Sequence, residues 1–257
     1  MSTYEIYIAY STIVRKEIQR FMRIWVQTLL PPSIIMVLYF IIFGNLIGSR
    51  IGQMGGFDYM QFIVPGLIMM SVITNSYGNV VSSFYSTKYQ GSLDEMLVSP
   101  MPNWVILAGY VTGGVARGLA VGTIVTTLSL FFTHLEIYNL GIITLVVLMT
   151  SILFSLGGFV NAVFANSFDD ISIVPTFILT PLTYLGGVFY SIDLLPDFWA
   201  GVSQLNPILY MVNAFRYGIL GVSDIPVGYA LLVISVFIVA LFSYCMHLLN
   251  TGKGIRK

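Results

Sequence analysis

The sequence predicts an all-α integral membrane protein with six transmembrane helices, an N-terminal interfacial helix, and a re-entrant helical hairpin before the last span. Three observations carry this prediction. Of 257 residues, 57% are hydrophobic and only 9% charged, against about 25% charged in a soluble domain. Six stretches reach the roughly 20 mostly apolar residues that a spanning helix needs. The basic residues collect in segments that six crossings place on one side.

The spans are expected at 29–47, 60–84, 104–132, 138–164, 171–190 and 226–249, within one membrane domain covering 1–257. The third is long enough to tilt or to extend past the bilayer. Residues 1–28 carry Ile13, Val14, Ile18, Phe21, Met22 and Trp25 near the 3–4 spacing, with Arg15, Lys16, Gln19, Arg20 and Arg23 between them. That pattern reads as a helix lying in the membrane interface. The basic residues come after a weakly apolar start and directly before a long apolar run, an order that reads as a cytoplasmic amphipathic segment leading into a membrane helix rather than as a cleaved signal peptide.

Residues 198–220 are long enough to be a seventh crossing. They also carry Gln204, Asn206, Pro207, Asn213 and Arg216, an expensive set to expose to lipid. Parity decides between the readings. Arg15, Lys16, Arg20 and Arg23 place the N-terminus inside; Lys253, Arg256 and Lys257 place the C-terminus inside. Lys88 joins them if the second span returns inward. Two cytoplasmic ends need an even number of crossings, so 198–220 is read as re-entrant. Pro207 is expected at its break, because the ring ends a helix just before it. Arg216 is expected to snorkel to the outer interface.

Several chemistries are disfavoured. Zero net charge gives no bulk attraction to nucleic acid. The single cysteine, Cys245, sits in an apolar run and reads as a buried hydrophobe. His134 and His247 lie far apart and make no metal-ligand spacing. No G-x-x-x-x-G-K-S/T occurs, so the chain has no P-loop to cradle nucleotide phosphates. Acidic residues avoid the spans, against a buried proton relay. Asp169 and Asp170, at the start of the fifth span, read as helix-capping residues or as a minor contact for a partner.

The segment between spans two and three is the most informative. Ser92 and Glu95 have capping-box spacing, and Leu93, Met96 and Leu97 give the short helix an apolar face. Pro100 and Pro102 stop it. A stiff cytoplasmic helix of this kind suits docking into a partner's groove; an ordinary capped loop is the alternative.

The run Tyr89-Gln-Gly-Ser-Leu-Asp-Glu-Met-Leu-Val-Ser-Pro resembles the signature of ABC-2 type transporter permeases. A second match joins Leu195-Pro-Asp-Phe-Trp, Leu205-Asn-Pro-Ile-Leu-Tyr and Ala214-Phe-Arg-Tyr, and Gly-Gly-Val-Phe-Tyr at 186–190 also fits. The resemblance covers nearly the whole chain. It implies a permease subunit of an ATP-driven exporter in a bacterial inner membrane, paired as a homodimer with a second copy. ATP and Mg would be bound by a separate cytoplasmic ATPase subunit, with no cofactor on this chain. Gly91, Ser92, Leu93, Glu95, Met96 and Leu97 would form the coupling helix that presses into that ATPase. The interfacial helix, through Glu17, would add a second contact. Family cargoes include drugs, polysaccharides and lipid-linked molecules, and no motif here names one. An ATP-independent channel or secondary carrier, and a structural membrane anchor, remain as readings from other classes; internal repeats or intramembrane acids would favour a carrier.

Within the spans, Gly109-x-x-x-Gly113 and Gly114-x-x-x-Gly118-x-x-x-Gly122 permit close helix approach. They serve either packing or the translocation path. Arg117 lies roughly 20 Å into the third span at about 1.5 Å per residue, near the midplane. Backbone carbonyls, a polar side chain such as Asn75, or an anionic substrate group could partner it.

Overall fold

The computed structural model describes residues 2–255, and for Asn45 and Ser49 the backbone only. Arg256 and Lys257 of the basic tail lie outside the described residues. Among those described, five helices are long and apolar enough to cross a membrane: Trp25–Gly44, Tyr59–Tyr89, Asn103–Ser129, Leu140–Phe164 and Val227–Thr251.

Helix α1 (Thr3–Arg23) opens on a capping box in which Ser2 and Glu5 satisfy each other's backbone N–H groups. It ends at Ile24, short of the expected residue 28. A continuous apolar rod follows, made of α2 (Trp25–Thr28), α3 (Leu30–Tyr39), a π-helical stretch Phe40–Ile47, and α4 (Gly48–Ile51). Pro31 and Pro32 fall in the first turn of α3, where a missing N–H is tolerated. A minimal hairpin of β1 (Gln53–Met54) and β2 (Phe57–Asp58) leads into α5.

Helix α5 (Tyr59–Tyr89) is the axis of the molecule. It has 31 residues and most are buried, because α7 (Asn103–Ser129) and α8 (Leu140–Phe164) flank it. Between α5 and α7 lies the short α6 (Ser92–Val98). The final helix, α13 (Val227–Thr251), packs on α8 and α12 and is otherwise largely exposed.

The fifth apolar stretch departs from the expected single helix over 171–190. It forms α9 (Asp170–Val174), a π-helical turn Pro175–Leu179, and α10 (Thr180–Tyr184). Pro175 and Pro181 lack the N–H that an α-helical interior needs, which accounts for the interruption. Helicity stops at Tyr184, and the chain turns through Gly187 at a φ of 71°. Next come α11 (Asp197–Gln204) and α12 (Pro207–Leu220), separated at Leu205 and Asn206. The Asn206 side chain accepts the Ile208 N–H and caps α12, with Pro207 in its first turn.

The bundle has two ends. At one, Lys88 of α5 donates to the Val163 and Ala165 carbonyls at the end of α8, and Asn103 of α7 bonds to Asn250 of α13. Helices α1 and α6 lie here. At the other, the Tyr138 and Asn139 N–H groups donate to the Ile219 and Gly218 carbonyls, joining the start of α8 to the end of α12. The stretch from 168 to 189 joins the two ends. The Phe168 ring lies 4.9 Å from Tyr85, and the Phe189 carbonyl accepts the Tyr59 hydroxyl at 3.3 Å.

Candidate functional site

The short helix between α5 and α7 is built around a glycine. The chain leaves α5 through a tight turn in which Gly91 N–H donates to the Lys88 carbonyl, and Gly91 takes a φ of 79°. Left-handed backbone strains any residue with a Cβ. Gly91 thereby occupies the cap position, and Ser92 falls inside the first turn. The capping box expected from Ser92 and Glu95 does not form: no side chain caps α6. The same S-x-x-D/E spacing does close a reciprocal pair at Ser167 and Asp170. There the Asn166 and Ser167 N–H groups and the Ser167 hydroxyl hold the Asp170 carboxyl below the usual carboxylate range. Asp170 thus caps the turn before α9, and the Asp169 side chain makes no cap bond.

The apolar face of α6 also differs from the expectation. Leu93 is 2% exposed and belongs to the chain's own core, with Met96 and Leu97 half-buried beside it. These residues seat α6 on this molecule. The face left free carries Gly91, Ser92, Asp94, Glu95 and Val98, and Val98 is 85% exposed. A polar cleft of about 420 Å³, with Lys16, Arg20, Thr87 and Glu95 on its walls, separates α6 from α1. An apolar cleft of about 410 Å³, lined by Ala9, Ile13, Met96 and Met101, lies alongside.

Glu17 does not offer itself to a partner. Its side chain is fully buried. The reason is a stripe on α1, Ile13, Glu17 and Phe21, that repeats every four residues and faces inward. Glycines on α7 admit this stripe: a Cβ at Gly109 would lie 2.5 Å from Ile13, and one at Gly113 would lie 2.5 Å from Glu17. Ser83 donates to Glu17 Oε1 at 2.6 Å. Lys16 Nζ and Arg20 Nε approach the carboxylate at 3.5 and 3.6 Å. Arg20 also donates to the Asn79 carbonyl and side chain, and Lys16 to the Tyr110 hydroxyl, which donates onward to Thr87. This network pins α1 to the half of α5 that runs into α6. None of Lys16, Arg20, Asn79, Ser83, Thr87 or Tyr110 stands out as a motif. The matching four-residue spacings on α1 and α7 were the available signal.

Arg117 finds two of its three candidate partners within the chain. Its Nη2 donates to Asn75 Oδ1 at 3.1 Å and to the Thr28 carbonyl at 3.2 Å. The second bond follows from sequence. The Thr28 carbonyl would normally take the N–H of residue 32, and Pro32 has none. Gly114 and Gly118 are packing positions: added Cβ atoms would meet Ser155 at 2.2 Å and Ser76 at 2.0 Å. Gly122 faces Val72 in the same way.

Arg216 overturns the snorkelling expectation. It is 1% exposed. Nη2 donates to the Gly187 carbonyl at 2.6 Å and Nε to the Phe62 carbonyl at 3.4 Å. The guanidinium lies 3.9 Å from the Phe62 ring centroid, a cation–π contact. The side chain therefore ties α12 to the start of α5 and to the turn after α10. Asn206 reaches the same region, donating to the Leu182 carbonyl at 2.6 Å.

A family profile described as ABC-2 type transporter matches residues 8–220. The inner membrane transport permease YadH of Escherichia coli (strain K12) is 61% identical over 250 residues, covering 97% of this chain and 98% of that protein. Nodulation protein J of Rhizobium leguminosarum bv. viciae is 24% identical over 219 residues, with 83% of each chain covered. Nodulation protein J of Rhizobium meliloti (strain 1021) is 20% identical over 193 residues, covering 75% of this chain and 74% of that one. With the signature around α6 and the later match from Leu195 to Tyr217 both inside the profile's range, the chain belongs to the ABC-2 type transporter family.

Proposed function

We propose that the chain is the permease subunit of an ATP-driven exporter in a bacterial inner membrane, coupled through α6 to a separate cytoplasmic ATPase that binds ATP and Mg. Support comes from family membership, from the similarity to an inner membrane transport permease, and from the lack of a P-loop in the chain. The observation that carries the reading is α6 itself. It is a short helix anchored by Leu93, set off by Gly91 and by Pro100 and Pro102, with Glu95 and Val98 turned outward. Glu95 and Val98 touch the ATPase, and Leu93, Met96 and Leu97 transmit the push to α5 and α7. Glu17 acts indirectly by fixing α1 to α5.

The topology that goes with this function has six crossings. Residues 171–187 are the fifth, short and interrupted, and α11 with α12 is re-entrant from the outer side. The packing of Phe168 near one end of α5 and of Phe189 near the other supports the first assignment. Contacts of α12 with Leu182, Phe62 and Asn139, all toward one end of the bundle, support the second. Both termini then lie in the cytoplasm with the basic residues. The exposed apolar faces of 25–44 and of α13 are covered by lipid and by a second copy of the chain.

Co-reconstitution of the affinity-purified chain with its P-loop ATPase in liposomes tests the function. The chain is expected to raise the ATPase rate, and Glu95→Lys to abolish that rise while leaving membrane insertion intact. An ATPase rate unaffected by the chain refutes the coupling.

A further inference from the structure

Helix α1 meets the bundle where α5 enters the membrane. Helix α5 has 31 residues, a length of about 46 Å at about 1.5 Å per residue, against a hydrocarbon core of about 30 Å. The excess emerges at the α6 end, where α5 carries Ser82, Ser83, Ser86, Thr87 and Lys88. Helix α1 bonds to α5 at Asn79 and Ser83, six to ten residues before Tyr89. That is about 9–15 Å from the end of α5, close to the level at which the hydrocarbon begins.

The sides of α1 agree with that depth. Its buried stripe faces α5 and α7. At about 100° per residue, Lys16 lies on one flank, and it lines both clefts beside α6. On the opposite flank Tyr7 and Ile18 are exposed, with exposed Met22 next to them. The face turned away from the bundle carries Arg15, Gln19 and Arg23 at four-residue spacing, all exposed. Trp25, also exposed, and the apolar rod follow directly. An exposed apolar flank beside a basic face suits a helix seated among lipid headgroups.

The basic face has no partner within the chain. Arg15 and Arg23 make no hydrogen bond, ion pair or ring contact among the described residues. The groove they border, of about 860 Å³, also has Lys16 and Arg20 on its walls and no acid. Lys16 and Arg20 are engaged by Glu17, which is buried on the other side of the helix. Glu5, ten residues before Arg15, accepts the Ser2 N–H. We propose that Arg15 and Arg23 hold the phosphates of anionic phospholipids, so that α1 selects phosphatidylglycerol over zwitterionic lipid. Each basic side chain near an anionic surface strengthens such attraction about fivefold, which sets a ceiling of roughly thirtyfold for the pair at low salt. The inference uses only the seating of α1 at a membrane surface. It involves no ATPase, so it stands or falls apart from the coupling through α6.

Trp25, two residues beyond Arg23, supplies the test. The chain has three tryptophans, and Trp104→Phe with Trp199→Phe leaves Trp25 alone. The full chain is reconstituted in phosphatidylcholine with brominated phosphatidylglycerol or brominated phosphatidylcholine. Quenching of Trp25 then gives the relative binding constant of the two lipids. A preference for phosphatidylglycerol is expected at low salt, up to about thirtyfold, and it should fall toward one at about 1 M salt. It should also fall toward one when Arg15→Gln and Arg23→Gln are combined. Tm should not change in that variant, because neither side chain makes a polar contact among the described residues. If the single-tryptophan protein does not fold, spin-labelled lipids give the same comparison on the chain with its tryptophans intact. Equal quenching by the two lipids, or a preference that survives the loss of both arginines, would overturn the proposal.

Discussion

Replacing Arg117 and Asn75 singly and together, as Arg117→Met and Asn75→Leu, tests whether the mid-membrane arginine is a structural clamp. The bond between them is 3.1 Å long, near the far end of the N–H···O range. A hydrogen bond to a charged group contributes about 1.5–3 kcal/mol in soluble proteins. Double-mutant cycles inside a membrane average about 0.6 kcal/mol, with a maximum near 1.7. The long distance favours the lower range. A coupling of about 1 kcal/mol is expected. The single Arg117→Met change is a poorer gauge, because it also relieves the roughly 2.5–3.5 kcal/mol cost of a charge at the bilayer centre. Unfolding by SDS titration in mixed micelles supplies the four free energies. Additivity within about 0.3 kcal/mol would refute the clamp. If the clamp is all that Arg117 provides, a folded Arg117→Met variant should still stimulate the partner ATPase.

Three further outcomes follow from the packing and the charges. Gly158→Ala puts a Cβ 2.6 Å from the Tyr77 backbone carbonyl, which cannot rotate away, whereas Gly78→Ala meets nothing within 4 Å. The first should lose stability, since overpacking by about 1–3 kcal/mol exceeds a helix-propensity gain of about 1 kcal/mol, and the second should gain by the latter amount. Glu17→Gln keeps the shape that faces Ser83 but removes the charge. Lys16 and Arg20 are 46% and 25% exposed, so solvent limits the loss to about 1–2 kcal/mol by chemical denaturation. Asp170 has a depressed pKa, so its capping contribution is complete above the unfolded carboxylate value of about 3.9 and is lost as pH falls through the lower folded value. Asp170→Ala should speed hydrogen exchange at Asn166 and Ser167 at neutral pH, and the difference from wild type should vanish in acid.

The fold is most legible in the sequence where one physical signal suffices. Length and apolarity located the five long helices to within a few residues, with the first beginning at Trp25 rather than 29. The glycines of the third span declared close packing, and Pro207 marked the start of α12. Less is legible where a residue's surroundings decide the matter. Periodicity gave α6 an apolar face but could not say whether this chain or a partner covers it, and Leu93 turned out to be core. Glu17 is expected at a partner contact, yet it lies in register with Ile13 and Phe21 on the stripe facing α7. Arg216 read as a residue seeking water because its acceptors, the carbonyls of Phe62 and Gly187, are 154 and 29 residues away in sequence. The interrupted fifth stretch was legible in Pro175 and Pro181, which a count of apolar residues ignores.

The coupling claim can be tested directly because the chain has one cysteine, Cys245, which is fully buried. In a Cys245→Ala background, Val98→Cys places a thiol on the exposed face of α6. A bifunctional thiol-to-amine reagent should join this position to the P-loop ATPase in inner-membrane vesicles, and ATP with vanadate should alter the yield. A Val98→Cys thiol that labels freely with maleimide in the assembled complex, with no crosslink to the ATPase, would contradict the assignment of α6 as the docking element.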